Sequence, residues 1–148
     1  MQGLEKEIYD WLVSLDLEEK YSKPGIYCIK ILGNIVYIGK SRDMLVRIAN
    51  HIKELRTLNS RSSNKYKVLA QAQIQGYKIE FDVMYYSPFL LDEEIIEDIG
   101  AEEGRLIREY RPILNYQIPR EDNWHKYTIN KAARSARLED IVEVKIAV

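Results

Sequence analysis

Apolar positions recur along the chain in two periods. Leu4, Ile8, Trp11, Leu12 and Leu15 share one face at helical spacing, which predicts an amphipathic helix over 4–20, stopped by Pro24-Gly25. Residues 26–32 and 35–38 are β-rich runs around Gly33-Asn34, a hairpin signal. Ser41 stands where a helix N-cap belongs, and Leu45, Ile48, Ile52 and Leu55 follow at helical spacing, predicting a helix over 42–57. The polar stretch 58–64 (LNSRSSN) reads as a loop. A helix over 65–75 closes at Gly76, and 77–86 (YKIEFDVMYY) alternates as a third strand. Leu91–Tyr110 reads as a helix with a break near Gly100, ended by Pro112. The tail suggests a short helix over 130–138 and a strand over 141–147 (IVEVKIA). The expected class is α+β: a small, mostly antiparallel three-stranded sheet flanked by helices.

A chain of 148 residues fits one domain and buries enough surface to fold without a disulfide or metal staple. The single cysteine, Cys28, suits a reducing, cytoplasmic compartment and leaves any metal site to oxygen or nitrogen ligands. No apolar run approaches the ~20 residues of a membrane span, and residues 1–10 lack the pattern of a secretory signal, so no membrane partner is expected.

The net charge of −1 hides an asymmetry. Residues 1–19 carry −5, residues 20–78 carry +10, residues 79–110 carry −8 and residues 111–148 carry +2. A basic block of this size is a candidate phosphate-facing surface, with Lys40, Arg42, Lys53, Arg56, Arg61, Lys65 and Lys67 as its nucleic-acid contacts. The competing reading is that the acidic block folds against it and cancels its field.

Three features serve stability poorly. Glu103 shares the apolar stripe of Ile96, Ile99, Leu106, Ile107 and Tyr110, where a carboxylate needs a cation or several donors. A buried salt bridge and a metal site both answer that need. Arg47 and His51 lie four apart on one helix face, with Asp43, Asn50 and Glu54 nearby; this is either a solvated face or a pair that holds a phosphate and moves a proton. Tyr27 and Tyr37 place two phenols in the hairpin, where packing is their ordinary role.

Together these residues resemble the GIY-YIG nuclease family. Gly25-Ile26-Tyr27 matches its first motif and Tyr37-Ile38-Gly39 its second, with nine residues separating the two tyrosines. Lys40 follows directly, Arg47 lies ten residues past Tyr37, and His51 takes a position that is often basic or hydroxylated. Glu103, Leu106-Ile107, Tyr110, Pro112 and Asn115 resemble the E-x-x-L-I-x-x-Y-x-P-x-x-N ending. The resemblance covers residues 24–118 and is nearest to small phage-type or stand-alone members. It divides the chain into an N-terminal helix packed on the core (1–22), a nuclease domain (23–118) and a C-terminal extension (119–148).

The resemblance implies a DNA endonuclease hydrolysing phosphodiester bonds with one Mg²⁺ or Mn²⁺. Glu103 would be the one protein ligand of the metal, Tyr37 the general base and Arg47 the stabiliser of charge on phosphorus. Tyr27 would orient base or phosphate, and His51 would assist with a proton or a phosphate contact. Lys40 and the metal would be the candidates to favour the Tyr37 phenolate, and Asn115 would brace the site. The rival is a non-catalytic nucleic-acid-binding or scaffold domain on the same fold.

Two further expectations follow. A regular two-residue turn at Gly33-Asn34 would place Tyr27 and Tyr37 on opposite faces, so their convergence requires a longer loop, a bulge, or Tyr27 reaching round from the strand end. Specificity would come from residues 56–78, from the tail, or from a homo-oligomer, which would also allow both strands to be cut. The N-terminal helix and the tail either complete the core or serve that assembly.

Overall fold

The seven residues GIYCIKI are apolar at almost every position, the pattern of a strand covered on both faces. They form β1 (Gly25–Ile31), the centre of a three-stranded antiparallel sheet. β2 (Asn34–Ser41) and β3 (Ile79–Tyr86) pair with β1 on either side. The computed structural model describes residues 1–142.

Alternation along β1 divides the core into two layers. Tyr27, Ile29 and Ile31 face α1 (Gly3–Ser14), α3 (Met44–Arg56) and α4 (Asn64–Ile74). Ile26 and Cys28 face α5 (Asp92–Tyr110) through Ile95, Ile99, Leu106 and Ile107. The class is therefore α+β, with helices on both faces of the sheet. α1 lies on α3 through Ile8 and Leu12, and Ala136 and Leu138 close the same core from the C-terminal side. The N-terminal helix and the described part of the extension thus complete the core. No helix among the described residues is long and apolar enough to cross a membrane.

Several boundaries differ from expectation, each for a local reason. The first helix ends at Ser14, because Asp16 turns into the left-handed region (φ 61°). A short second helix, α2 (Glu18–Tyr21), then brings the Tyr21 hydroxyl to the carbonyl of Phe81 on β3. Trp11 and Leu15, expected on the buried face, are exposed. The hairpin turns at Leu32-Gly33, both at positive φ, and Asn34 already belongs to β2. The cap of α3 is Asp43, whose carboxylate accepts from the amides of Leu45 and Val46, whereas Ser41 bonds only to the Asp43 backbone. A cap of this kind contributes about 1 kcal/mol.

α5 runs without a break. Gly100 is the point where the Trp124 indole packs against the helix, so closely that a Cβ would sit 2.5 Å from the ring. Ile96 and Tyr110, expected on the buried stripe, are exposed, and Ile95 is buried in their place. Arg111 ends the helix in the left-handed conformation before Pro112.

Beyond α5 lies a small hairpin with no clear sequence signal, β4 (Gln117–Pro119) with β5 (Tyr127–Ile129). The helix expected over 130–138 is a 3₁₀ turn at Lys131–Arg134, and α6 (Leu138–Ile141) follows. The strand expected over 141–147 begins on the end of α6, and its residues 143–147 lie outside the described residues.

The acidic block does fold against the basic one. Asp82 takes Lys20 and Lys30, Glu80 takes Lys78, Asp92 takes Arg42 and Glu103 takes Lys40. The field of the basic block is therefore cancelled along β3 and at the start of α5.

Candidate active site

One irregularity in the hairpin builds the site. Tyr27 pairs with Gly39 and Ile29 with Tyr37, but Lys30 pairs with Ile35, which leaves Val36 as an extra residue in β2. This is the bulge that convergence of the tyrosines requires. It puts Tyr27 and Tyr37 on the same face, with ring centroids 6.5 Å apart.

That face opens into a cleft of about 550 Å³. Tyr27 and Tyr37 form its floor. Arg47 enters from α3, Lys65 from the start of α4, Glu103 from the middle of α5 and Lys40 from the end of β2. Tyr37, Arg47 and Glu103 come from three different elements and line this single space.

The Glu103 carboxylate is largely buried, and its nearest cation is the Lys40 Nζ at 3.9 Å. Burial pushes its pKa up to about 7, and Lys40 only partly opposes this. The salt-bridge alternative is thus met loosely, by a lysine rather than an arginine. Lys40 also stacks 4.1 Å over the Trp124 ring. A single, poorly satisfied carboxylate facing an open cleft fits a hard divalent cation that keeps most of its water. Among the described residues no cluster of three or more metal-ligating side chains exists, so such a cation would have Glu103 as its one protein ligand.

Burial raises the pKa of Tyr37; the Arg47 guanidinium lowers it in part, and Glu103 adds to the rise. The Lys65 ammonium sits 4.2 Å over the Tyr37 ring and 4.7 Å over Tyr66. The cations facing the phenol are therefore Arg47 and Lys65, and not Lys40 as the motif order suggested. Burial and the neighbouring Arg47 in turn lower the Lys65 pKa to about 8. The Arg47 side chain itself is half-buried and bonds Asn50.

His51 departs most from expectation. It is fully buried, with no access to a phosphate. Its Nε2 lies 2.6 Å from the Tyr27 hydroxyl and its Nδ1 lies 2.8 Å from the Tyr66 hydroxyl. Burial, then Arg47 and Lys65, lower its pKa to about 2, so the ring is neutral. One ring nitrogen donates and the other accepts, and the chain Tyr27–His51–Tyr66 satisfies three buried polar groups at once. The Tyr27 hydroxyl is committed to this chain, so its part is to hold the floor beside Tyr37.

Asn115 likewise holds rather than reacts. It is buried, its Oδ1 accepts from the Ile38 amide and its Nδ2 donates to the Ile38 carbonyl, both at 2.9 Å. β2 is an edge strand, and Ile38 lies between Tyr37 and Gly39. Asn115 thus supplies the edge pairing that a fourth strand would give.

The remaining basic residues scatter. Arg42 pairs with Asp92, Arg56 lies over Trp11 on the α1 side, and Lys67 bonds the Ser60 carbonyl. Arg61 is exposed in the loop before α4, and Lys53 sits in the last turn of α3. Of the seven expected nucleic-acid contacts, only Lys40 and Lys65 line the cleft. Conversely, Tyr66, Tyr116, Tyr127 and Arg134 are cleft or support residues that sequence reasoning missed. The excess of tyrosine, eleven against two phenylalanines, was their one faint signal.

Comparison with known proteins yields no match: no family model, no curated protein and no solved structure matches this chain.

Proposed function

We propose that this chain is a divalent-metal-dependent endonuclease acting on DNA, a GIY-YIG nuclease as its motifs suggest, working through one site. The observation that carries the reading is the meeting of Tyr37, Arg47 and Glu103 in one cleft, with Glu103 poorly neutralised. A structural core has no use for a half-satisfied carboxylate facing two phenols and a guanidinium.

The residues divide the work by position. Tyr37, as the phenolate, accepts the proton of the attacking water and becomes the phenol, the new P–O bond forms, and the bond to the leaving oxygen breaks. Arg47 faces the same space and offsets the charge that gathers on the phosphoryl oxygens. The Arg47 guanidinium partly opposes the burial that raises the Tyr37 pKa, and the Lys65 ammonium stands 4.2 Å over the same ring. Glu103 would hold Mg²⁺ or Mn²⁺, and such an ion would supply positive charge against the charge that gathers during the reaction. Tyr27, His51 and Asn115 keep β2 and the floor in place. One cleft cuts one strand, so cutting both requires a homo-oligomer or a second encounter.

The rival reading, a nucleic-acid-binding domain without catalysis, is favoured by the burial that raises the Tyr37 pKa. Incubating supercoiled plasmid with Mg²⁺ or Mn²⁺ separates the two. Nicked circles from the wild type, reduced at least a hundredfold by Glu103→Ala and Arg47→Ala, support the nuclease. Equal nicking by wild type and Glu103→Ala removes Glu103 from the chemistry. DNA binding with no nicking by the wild type selects the rival.

A further inference from the structure

The extension beyond the resembling motifs reaches back to the site. With Tyr116 just before it, Gln117, Pro119 and Tyr127 of the β4–β5 hairpin and Arg134 of the 3₁₀ turn form one wall of the cleft, most of it in the 119–148 extension. This wall is fastened at both ends. The Asn64 side chain, next to Lys65, donates to the carbonyls of Ala133 and Ala136 at 2.9 and 2.8 Å. The Asn130 amide donates to the Tyr116 carbonyl at 2.8 Å, and its side chain donates to that of Asn115 at 3.3 Å.

The wall's chemistry is specific in kind. The Arg134 guanidinium stacks 4.3 Å over the Tyr116 ring, which fixes its plane while leaving it exposed. Among the described residues no carboxylate lies within 4.0 Å of Arg134, Lys65 or Arg47. This contrasts with Lys20, Lys30, Lys40, Arg42 and Lys78, all of which are paired. Three of the four cations that line the cleft, Arg47, Lys65 and Arg134, are therefore without an acid partner, and the fourth, Lys40, is held by Glu103. Beside them Tyr127 lines the same cleft with 44% of its surface exposed, so its ring is accessible there. Unpaired cations next to an accessible aromatic face match a nucleotide's phosphate and base together.

We infer that the 116–134 wall is a strand-holding subsite. Arg134 and Lys65 take the phosphate next to the one being cut, and Tyr127 stacks on the face of an unpaired base. The inference rests on the nucleic-acid reading above and adds its substrate form: a strand that is single, or splayed from its partner, at the wall. Because stacking is indifferent to base identity, the subsite recognises structure rather than sequence.

The test is fluorescence anisotropy with labelled single-stranded, forked and fully paired oligonucleotides, in the Glu103→Ala background so that no cleavage occurs. Tyr127→Ala should weaken single-stranded and forked binding about tenfold and leave duplex binding unchanged, and Tyr127→Phe should restore it. Arg134→Ala should lower the slope of log K against log salt by about one phosphate, and Arg134→Lys should restore the slope but not the full affinity. Both side chains are exposed, so these variants retain the fold, which thermal denaturation checks. Unchanged affinities and salt slopes in Tyr127→Ala and Arg134→Ala overturn the inference, as does equal loss on duplex. The nuclease reading is judged separately, by plasmid nicking. Nicking with an inert wall removes only the subsite, and strand binding without nicking removes only the catalysis.

Discussion

The phenol oxygen of Tyr27 lies over the Cα of Gly39, in the volume that a Cβ at position 39 would fill. The two residues are cross-strand partners in the β1–β2 ladder. Glycine at 39 is therefore the space into which the Tyr27 ring reaches on its way to His51. Gly39→Ala should cost about 1–3 kcal/mol through overpacking, measured by urea denaturation. It should also displace the hydroxyl from His51. A variant as stable as the wild type would mean that the ring relocates freely.

Asn115 is the counterpart on the strand's outer edge. Asn115→Ala leaves the Ile38 amide and carbonyl without partners, at a cost of about 2–4 kcal/mol for two buried groups. Native-state hydrogen exchange at the Ile38 amide should quicken more than at its neighbours. Because Tyr37 and Gly39 flank that amide, nicking activity should fall with it. An Ile38 amide as protected as before would show that another group replaces Asn115.

The buried imidazole makes stability depend on acid. His51 has a folded pKa of about 2 against an ordinary value of 6.5, and Arg47, Lys65, Tyr27, Tyr37 and Tyr66 surround it. Below pH 6.5 the unfolded imidazole takes up a proton that the folded one refuses. This contribution is thus complete above pH 6.5 and is lost progressively as the pH falls towards 2. Between pH 6.5 and 5 the loss is roughly 1.5 kcal/mol. Denaturation at both pH values should show that loss in the wild type and a smaller one in His51→Gln. Equal pH dependence in the two proteins would mean that His51 is protonated in the fold.

Tyr37→Phe separates chemistry from packing. The ring stays against Tyr27 and His51, so the melting temperature should stay within a few degrees. The rate of strand cleavage should fall at least a hundredfold, with Kd for DNA nearly unchanged. A collapse of binding instead would make the phenol a structural contact.

Much of this was readable from local pattern. The three strands, the spans of α3, α4 and α5, and the anomaly of Glu103 on an apolar stripe all follow from period and spacing. The convergence of the two tyrosines was readable as a requirement, since their order along the hairpin demanded an irregularity that the bulge at Val36 supplies. The fate of His51 was not readable. The helix face carrying Asp43, Arg47, Asn50, His51 and Glu54 looks solvated by composition, yet α4 lays Tyr66 across it and turns the imidazole into core. The cancelled half of the basic block, and the wall built by residues 116–134, were equally hidden.

The division has a physical cause. Hydrophobic periodicity is a property of a few consecutive residues, so elements, their buried stripes and one misplaced carboxylate announce themselves along the chain. Whether a polar side chain meets water, a partner or a substrate depends on what is packed against it. Here those neighbours lie far off in sequence: Asn115 for Ile38, Glu103 for Lys40, and the 3₁₀ turn of Arg134 for Asn64. Composition named the groups able to do chemistry. Packing of distant segments selected which of them share a cleft and which became its scaffold.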